Sequence, residues 1–186
     1  MNKDRFNELS IKYSSVIEEI IKSNILYAGI NRTIRWCFFE GSGPEITATV
    51  DRKTNLLSVN IVFIDIEYNE NRLYVIEYFL LHEMRHIYQN LQIELFKNNE
   101  HTIDPKFIEL WIKEGQNYIK SLDENGKENI EYFKQDCELD AYAFSYAVMH
   151  HKYHGLYDSK LYMQEIYKNE LKDNFDSAVK DFLENL

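Results

Sequence analysis

The chain has 186 residues, and its 31 acidic side chains outnumber its 21 basic ones for a formal net charge of −10. That length fits one domain, and an apolar fraction of 45% is enough for a core and excludes wholesale disorder. The acidic balance argues against a nucleic-acid-binding face, and two cysteines are too few for a disulfide framework or a thiolate zinc cluster.

Cys37 and Cys137 read as reduced thiols, which points to the cytoplasm. The first eight residues have no apolar h-region, so no signal peptide is expected. The longest mainly apolar run, residues 73–81, is too short for a bilayer and carries Glu77, so no membrane partner is expected. No internal repeat or low-complexity tract is visible.

In chain order, Phe6, Leu9, Tyr13, Val16, Ile17, Ile20 and Asn24 recur at spacings of three and four. They predict an amphipathic helix that covers a sheet, with Gly29 as its terminator. Three runs then change to a period of two: residues 34–39, 45–50 and 57–63. Gly41-Ser42-Gly43-Pro44 separates the first two as a turn. In the third, Leu57, Val59, Ile61 and Phe63 share one face. The short loop 51–55 suits a hairpin, and the three runs read as an antiparallel meander.

From about Glu70 to Lys97 the pattern is helical, and its middle is apolar on nearly every face, so a buried helix is expected. Asp104 then Pro105 reads as an N-cap followed by proline at the first helical position. That helix runs to about Lys120, with Phe107, Leu110, Trp111, Tyr118 and Ile119 as its apolar set. A turn at Asp123-Glu124-Asn125-Gly126 leads to another helix, from about Glu128 to Tyr153, ended by Gly155. The C-terminal helices place Phe175, Ala178, Val179, Phe182 and Leu183 inward. No linker divides the pattern, so residues 1–186 read as one α+β domain: an N-terminal helix, a small three-stranded antiparallel sheet, then a helical bundle.

His82-Glu83-Met84-Arg85-His86 fits H-E-x-x-H. Residues four apart on a helix differ by about 40° of rotation and about 6 Å of rise, so both imidazoles project to one side. Two neutral imidazoles placed so can bind one tetrahedral Zn²⁺, and Glu83 can reach a metal-bound water as general base. Burying two His and a Glu inside an apolar helix is costly unless they have partners. Catalytic zinc normally takes three protein ligands. The third is sought in Asp136-Cys137-Glu138-Leu139-Asp140-Ala141-Tyr142-Ala143-Phe144. Glu138 and Asp140 are about 200° apart on a helix and cannot both face one ion. The small Ala141 and Ser145 flank Glu138 and favour it; Asp140 is the alternative. The ordinary reading of Glu138 is a buried carboxylate paired with Lys134 or an arginine.

His82-Glu83-x-x-His86 followed by Glu138-x-x-Ala141 on a later helix resembles the gluzincin zinc metallopeptidases. The layout is most similar to compact ImmA/IrrE-type peptidases and to small metallopeptidase-like proteins of phages and mobile elements, over about half the chain. The resemblance implies one Zn²⁺ per chain held by His82, His86 and Glu138, with Glu83 as the catalytic base. It implies a peptide or protein substrate, such as a regulatory protein of a mobile element. Many gluzincins carry an aspartate, orienting a ligand histidine, where this chain has Tyr142. Oxyanion-donor candidates are Tyr142, Tyr146, Tyr153, Tyr157 and His154.

The strand at residues 57–63 could receive an extended peptide by β-addition if it had an exposed edge, or could be an ordinary paired strand. His150, His151 and His154, at a helix C-terminus, suit capping or surface roles, and His101 is expected to be exposed in a polar loop. Arg85 and Gln89 are expected on the exposed flank of the motif helix. Two rival readings stand beside the peptidase: a catalytically inert metal-binding or interaction module, and a helical phage protein in which the motif is accidental.

Overall fold

The structure is a computed structural model that describes residues 1–42, 47–122, 126–127, 129–158, 160–161 and 165–186. It comprises two compact units, Met1–Ile87 and Tyr88–Leu186. No helix among the described residues is long and apolar enough to cross a membrane, and Cys37 and Cys137 are free thiols.

In the first unit, α1 (Lys3–Asn24) begins at the Asn2 side chain, which accepts the Arg5 N–H. Its buried stripe is Leu9, Tyr13, Ile17, Ile20, Ile21 and Asn24, the three-and-four spacing of one helix face. The helix stops at Asn24, ahead of Gly29. That glycine, at φ 67°, closes the turn that follows.

Three strands follow: β1 (Arg35–Phe39), β2 (Ala48–Asp51) and β3 (Leu56–Asn60). Their order is β1-β3-β2, with β1 parallel and β2 antiparallel to β3. The sheet is therefore mixed and not the expected antiparallel meander. The strand directions are those of a meander, but β3 takes the middle place that was expected for β2. Burial explains this. Leu57, Val59 and Asn60 are fully buried, whereas β1 and β2 alternate exposed with half-buried residues, so the most apolar strand is central. The 51–55 hairpin forms as expected: Asp51 Oδ1 accepts the Lys53 and Thr54 N–H groups and the Thr54 hydroxyl. Gly43 and Pro44 of the expected turn, and Glu45 and Ile46 of the expected second strand, lie outside the described residues.

The third run is not a strand to Phe63. It ends at Asn60, whose Oδ1 accepts the Val62 N–H and starts α2 (Ile61–Asn69). The same Oδ1 accepts the Gly41 N–H at 3.1 Å. A Cβ at Gly41 would stand 2.4 Å from Asn60 Nδ2, so glycine is needed for the approach. The partner of α1 is α2, against which it lies, and Tyr13 donates its hydroxyl to Asp65. A bidentate Arg72–Glu67 pair follows α2 and closes the turn into α3 (Leu73–Lys97). The first half of α3 buries Val75, Ile76, Tyr78, Leu80, Leu81, Met84 and Ile87, as its all-round apolarity predicts. Asn24 donates to the buried Glu77 at 2.7 Å and ties α1 to α3.

The second unit holds the remainder of α3, then α4 (Pro105–Gln116), α5 (Ile130–Phe133), α6 (Asp136–Tyr153), α7 (Glu165–Lys168) and α8 (Lys172–Leu183). Asp104 caps α4 through the Lys106 N–H, with Pro105 at the start. Ile108 and Trp111 of α4 pack with Cys137, and with Ile93 and Phe96 of α3. The helix expected from about Glu128 to Tyr153 is two helices. Gln135 is extended, at φ −65° and ψ 135°, and breaks them. Glu128 and residues 123–125 of the expected turn lie outside the described residues.

α6 is buried along most of its length and packs against α8. Phe144 meets Phe182, and Tyr146 meets Phe175, both edge-on. Of the expected C-terminal stripe, Phe175 and Val179 are buried. α6 ends with His154 and Gly155 both in the left-handed region, at φ 50° and 74°.

Candidate metal centre

α3 is one uninterrupted helix, so His82 and His86 stand one turn apart on one side of it. Their Nε2 atoms are 3.0 Å apart and their rings meet edge-on. Two nitrogens bound at zinc–nitrogen distance to one tetrahedral ion stand about 3.3 Å apart, so the pair converges as two ligands of a single ion do. Glu138 completes the group: one ligand atom from each of His82, His86 and Glu138 lies within 4.8 Å of the others. His82 is 2% exposed, His86 9% and Glu138 0%. Two imidazoles and a carboxylate form the His₂Glu donor set of catalytic zinc sites, and buried groups of this kind are costly without strong partners. This triad could hold a metal ion. Glu83, adjacent to His82, is also buried.

The other candidate ligand, Asp140, is placed elsewhere. Its Oδ2 accepts Gln89 Nε2 at 2.8 Å, and the same amide donates to the Cys137 carbonyl at 2.9 Å. Gln89 is therefore a buried residue that fixes α6 to the second half of α3, and not part of an exposed flank. The expected rotation of about 200° between positions 138 and 140 holds: Glu138 faces the imidazoles and Asp140 faces Gln89.

Glu138 is not paired with Lys134, whose ammonium bonds Glu131 and Glu170. Its donor is Tyr118, whose hydroxyl reaches Glu138 Oε1 at 2.8 Å. Tyr132 lies beside Tyr118, the two rings edge-on with centroids 6.1 Å apart. Burial first, then the charge of Glu138, push both phenols well above their ordinary pKa and keep them protonated. Glu138 lies in the first turn of α6, where the helix dipole favours a carboxylate. Glu114 caps that turn from α4, accepting the Asp136 N–H at 2.7 Å and the Cys137 N–H at 2.9 Å. The Gln135 side chain pairs with both the N–H and the carbonyl of Ile119 and so holds the segment that carries Tyr118. α4 ends at Gln116, short of the expected Lys120, so Tyr118 lies on the irregular segment after it and not on the helix.

The other predicted residues are dispersed. Tyr142 packs its ring between Phe133 and Tyr167. Tyr146 lies two turns beyond Glu138, about 12 Å along α6. It stacks on His150, and burial and Asp158 push its pKa up to about 12. Tyr153 and His154 stand at the far end of α6, about 22 Å or more from Glu138 along the axis, and Tyr157 is packed edge-on against Tyr153. A side chain is too short to span that distance, so these three are not oxyanion donors at the triad. His150 pairs with Asp158 at 2.8 Å near the C-terminus of α6. His101 is half-buried against Phe96 and not exposed. The central place of β3 leaves it no open edge, so peptide addition along residues 57–63 is excluded.

Sequence reasoning missed Tyr118, Tyr132, Gln135 and Glu114. The available signal was the need itself: a carboxylate placed in an apolar helix requires donors, and tyrosines crowd the preceding segment. No protein-family model, no curated protein and no solved structure matches this chain.

Proposed function

We propose that the chain is a zinc-dependent peptidase that hydrolyses a peptide or protein substrate. The observation that carries this reading is the convergence of His82, His86 and Glu138 within 4.8 Å, with Glu83 next to His82 in an H-E-x-x-H segment. His82 and His86, as neutral imidazoles, and Glu138, as a carboxylate, would hold the ion. Zinc bound there supplies Lewis acidity toward a carbonyl and lowers the pKa of water. Glu83 accepts the proton of the attacking water and returns it to the departing amine.

A second reading is an inert metal-binding or interaction module of a phage or mobile element. It draws support from the depth of the site, since Glu138 is 0% exposed and His82 2%. Elemental analysis of the untagged chain separates the readings in part. Near one zinc per chain, lost in Glu138→Ala and kept in Asp140→Ala, supports the metal centre. No zinc in the wild type even after add-back overturns it. Zinc binding without cleavage of any peptide from a diverse library favours the inert module.

A further inference from the structure

A carboxylate that ligates an ion must have its orientation set before the ion arrives, and partners beyond the ligands usually do this. Glu138 is fully buried, and a tyrosine from outside its helix reaches it. Tyr118 donates to Oε1 at 2.8 Å, and its ring meets Tyr132 edge-on, with centroids 6.1 Å apart. Tyr118 stands on an irregular segment whose next residue, Ile119, is gripped at both N–H and carbonyl by the buried Gln135. Gln135 in turn is the residue from which α6 starts, three positions before Glu138. The donor and the acceptor are thus anchored to one point in the fold, which leaves the hydroxyl little freedom to move away.

We propose that Tyr118, with Tyr132 beside it, is a positioning residue that orients the Glu138 carboxylate for metal binding; this rests on the metal-centre reading above. The Tyr118 hydroxyl fixes Oε1 toward the protein, so the carboxylate is presented to the ion in one orientation. Outer partners of this kind are worth about 10- to 100-fold in metal affinity.

The test uses the full chain, stripped of metal and titrated with zinc against a chromophoric chelator, in the wild type, Tyr118→Phe, Gln135→Met and Glu138→Ala. Cobalt(II) is then added to each, because its visible bands report coordination geometry. Zinc affinity about 10- to 100-fold weaker in Tyr118→Phe is expected, with shifted cobalt bands, in an apo chain that still melts cooperatively. Wild-type affinity and an unshifted cobalt spectrum in a folded Tyr118→Phe would overturn the proposal while leaving the metal centre standing. If the wild type binds no zinc, both fall together. Should Tyr118→Phe fail to fold, Gln135→Met decides by the same two readouts, since it releases the peptide next to Tyr118 that the Gln135 amide grips.

Discussion

Glu83 is the only carboxylate inside the H-E-x-x-H segment, and replacing its charge while keeping its shape separates base chemistry from metal binding. Glu83→Gln is expected to retain zinc and to lose about 10²- to 10⁴-fold in peptide hydrolysis, checked by metal content beside turnover of a cleavable peptide. Tyr146 offers a test unrelated to the metal. Burial and Asp158 raise its pKa from 10.0 to about 12. The folded chain therefore keeps a proton that the unfolded chain gives up between those values. Stability contributed by the neutral phenol is complete below pH 10 and is lost as pH rises toward 12. The stability advantage of wild type over Tyr146→Phe should shrink across that window, as measured by urea unfolding at pH 9 and pH 11.

At the scale of elements, α6 matters most, because its first turn carries Glu138. That turn has no side-chain cap of its own; Glu114, from α4, accepts the N–H groups of Asp136 and Cys137. Glu114→Ala removes both bonds and should cost about 1–2 kcal/mol, the scale of a lost N-cap, seen as a lower urea midpoint with an unchanged slope. The break before α6 was hidden in the sequence because Lys134-Gln135 contains neither glycine nor proline. Long-range bonds from Glu114 and to Ile119 stabilise the extended backbone there. α2 was hidden for the opposite reason. Its β-branched start, Ile61-Val62, continues the alternation of β3, and only Asn60, an N-cap residue type, marks the change of period. The α4 start was legible because Asp104-Pro105 acts locally.

For the whole molecule, metal binding should couple to stability, because the ligand triad is assembled only in the folded chain. Free zinc at about 100 times its dissociation constant adds about 2.7 kcal/mol, or very roughly 5–10 °C in melting temperature for a chain of this size. Calorimetric melts with zinc and with chelator should differ by that amount in the wild type, and the difference should vanish in His86→Ala. A wild-type melt insensitive to both additions would count against the metal centre.

The sequence by itself determined the mixed helix and strand content, the buried α3 helix, the Asp104 cap and the pairing of His82 with His86. Each of these follows from a spacing or a contact within a few residues, where helix rise and rotation alone decide which side chains meet. Only the tertiary structure decided that β3 is the central strand, that Gln89 is buried against Asp140, and that Tyr118 serves Glu138. Strand order depends on which run can bury most surface, and a donor 20 residues from its acceptor meets it only through the packing of α4 and α6. Local periodicity carries no information about such pairings, because it records which face of an element is apolar and not what lies against it.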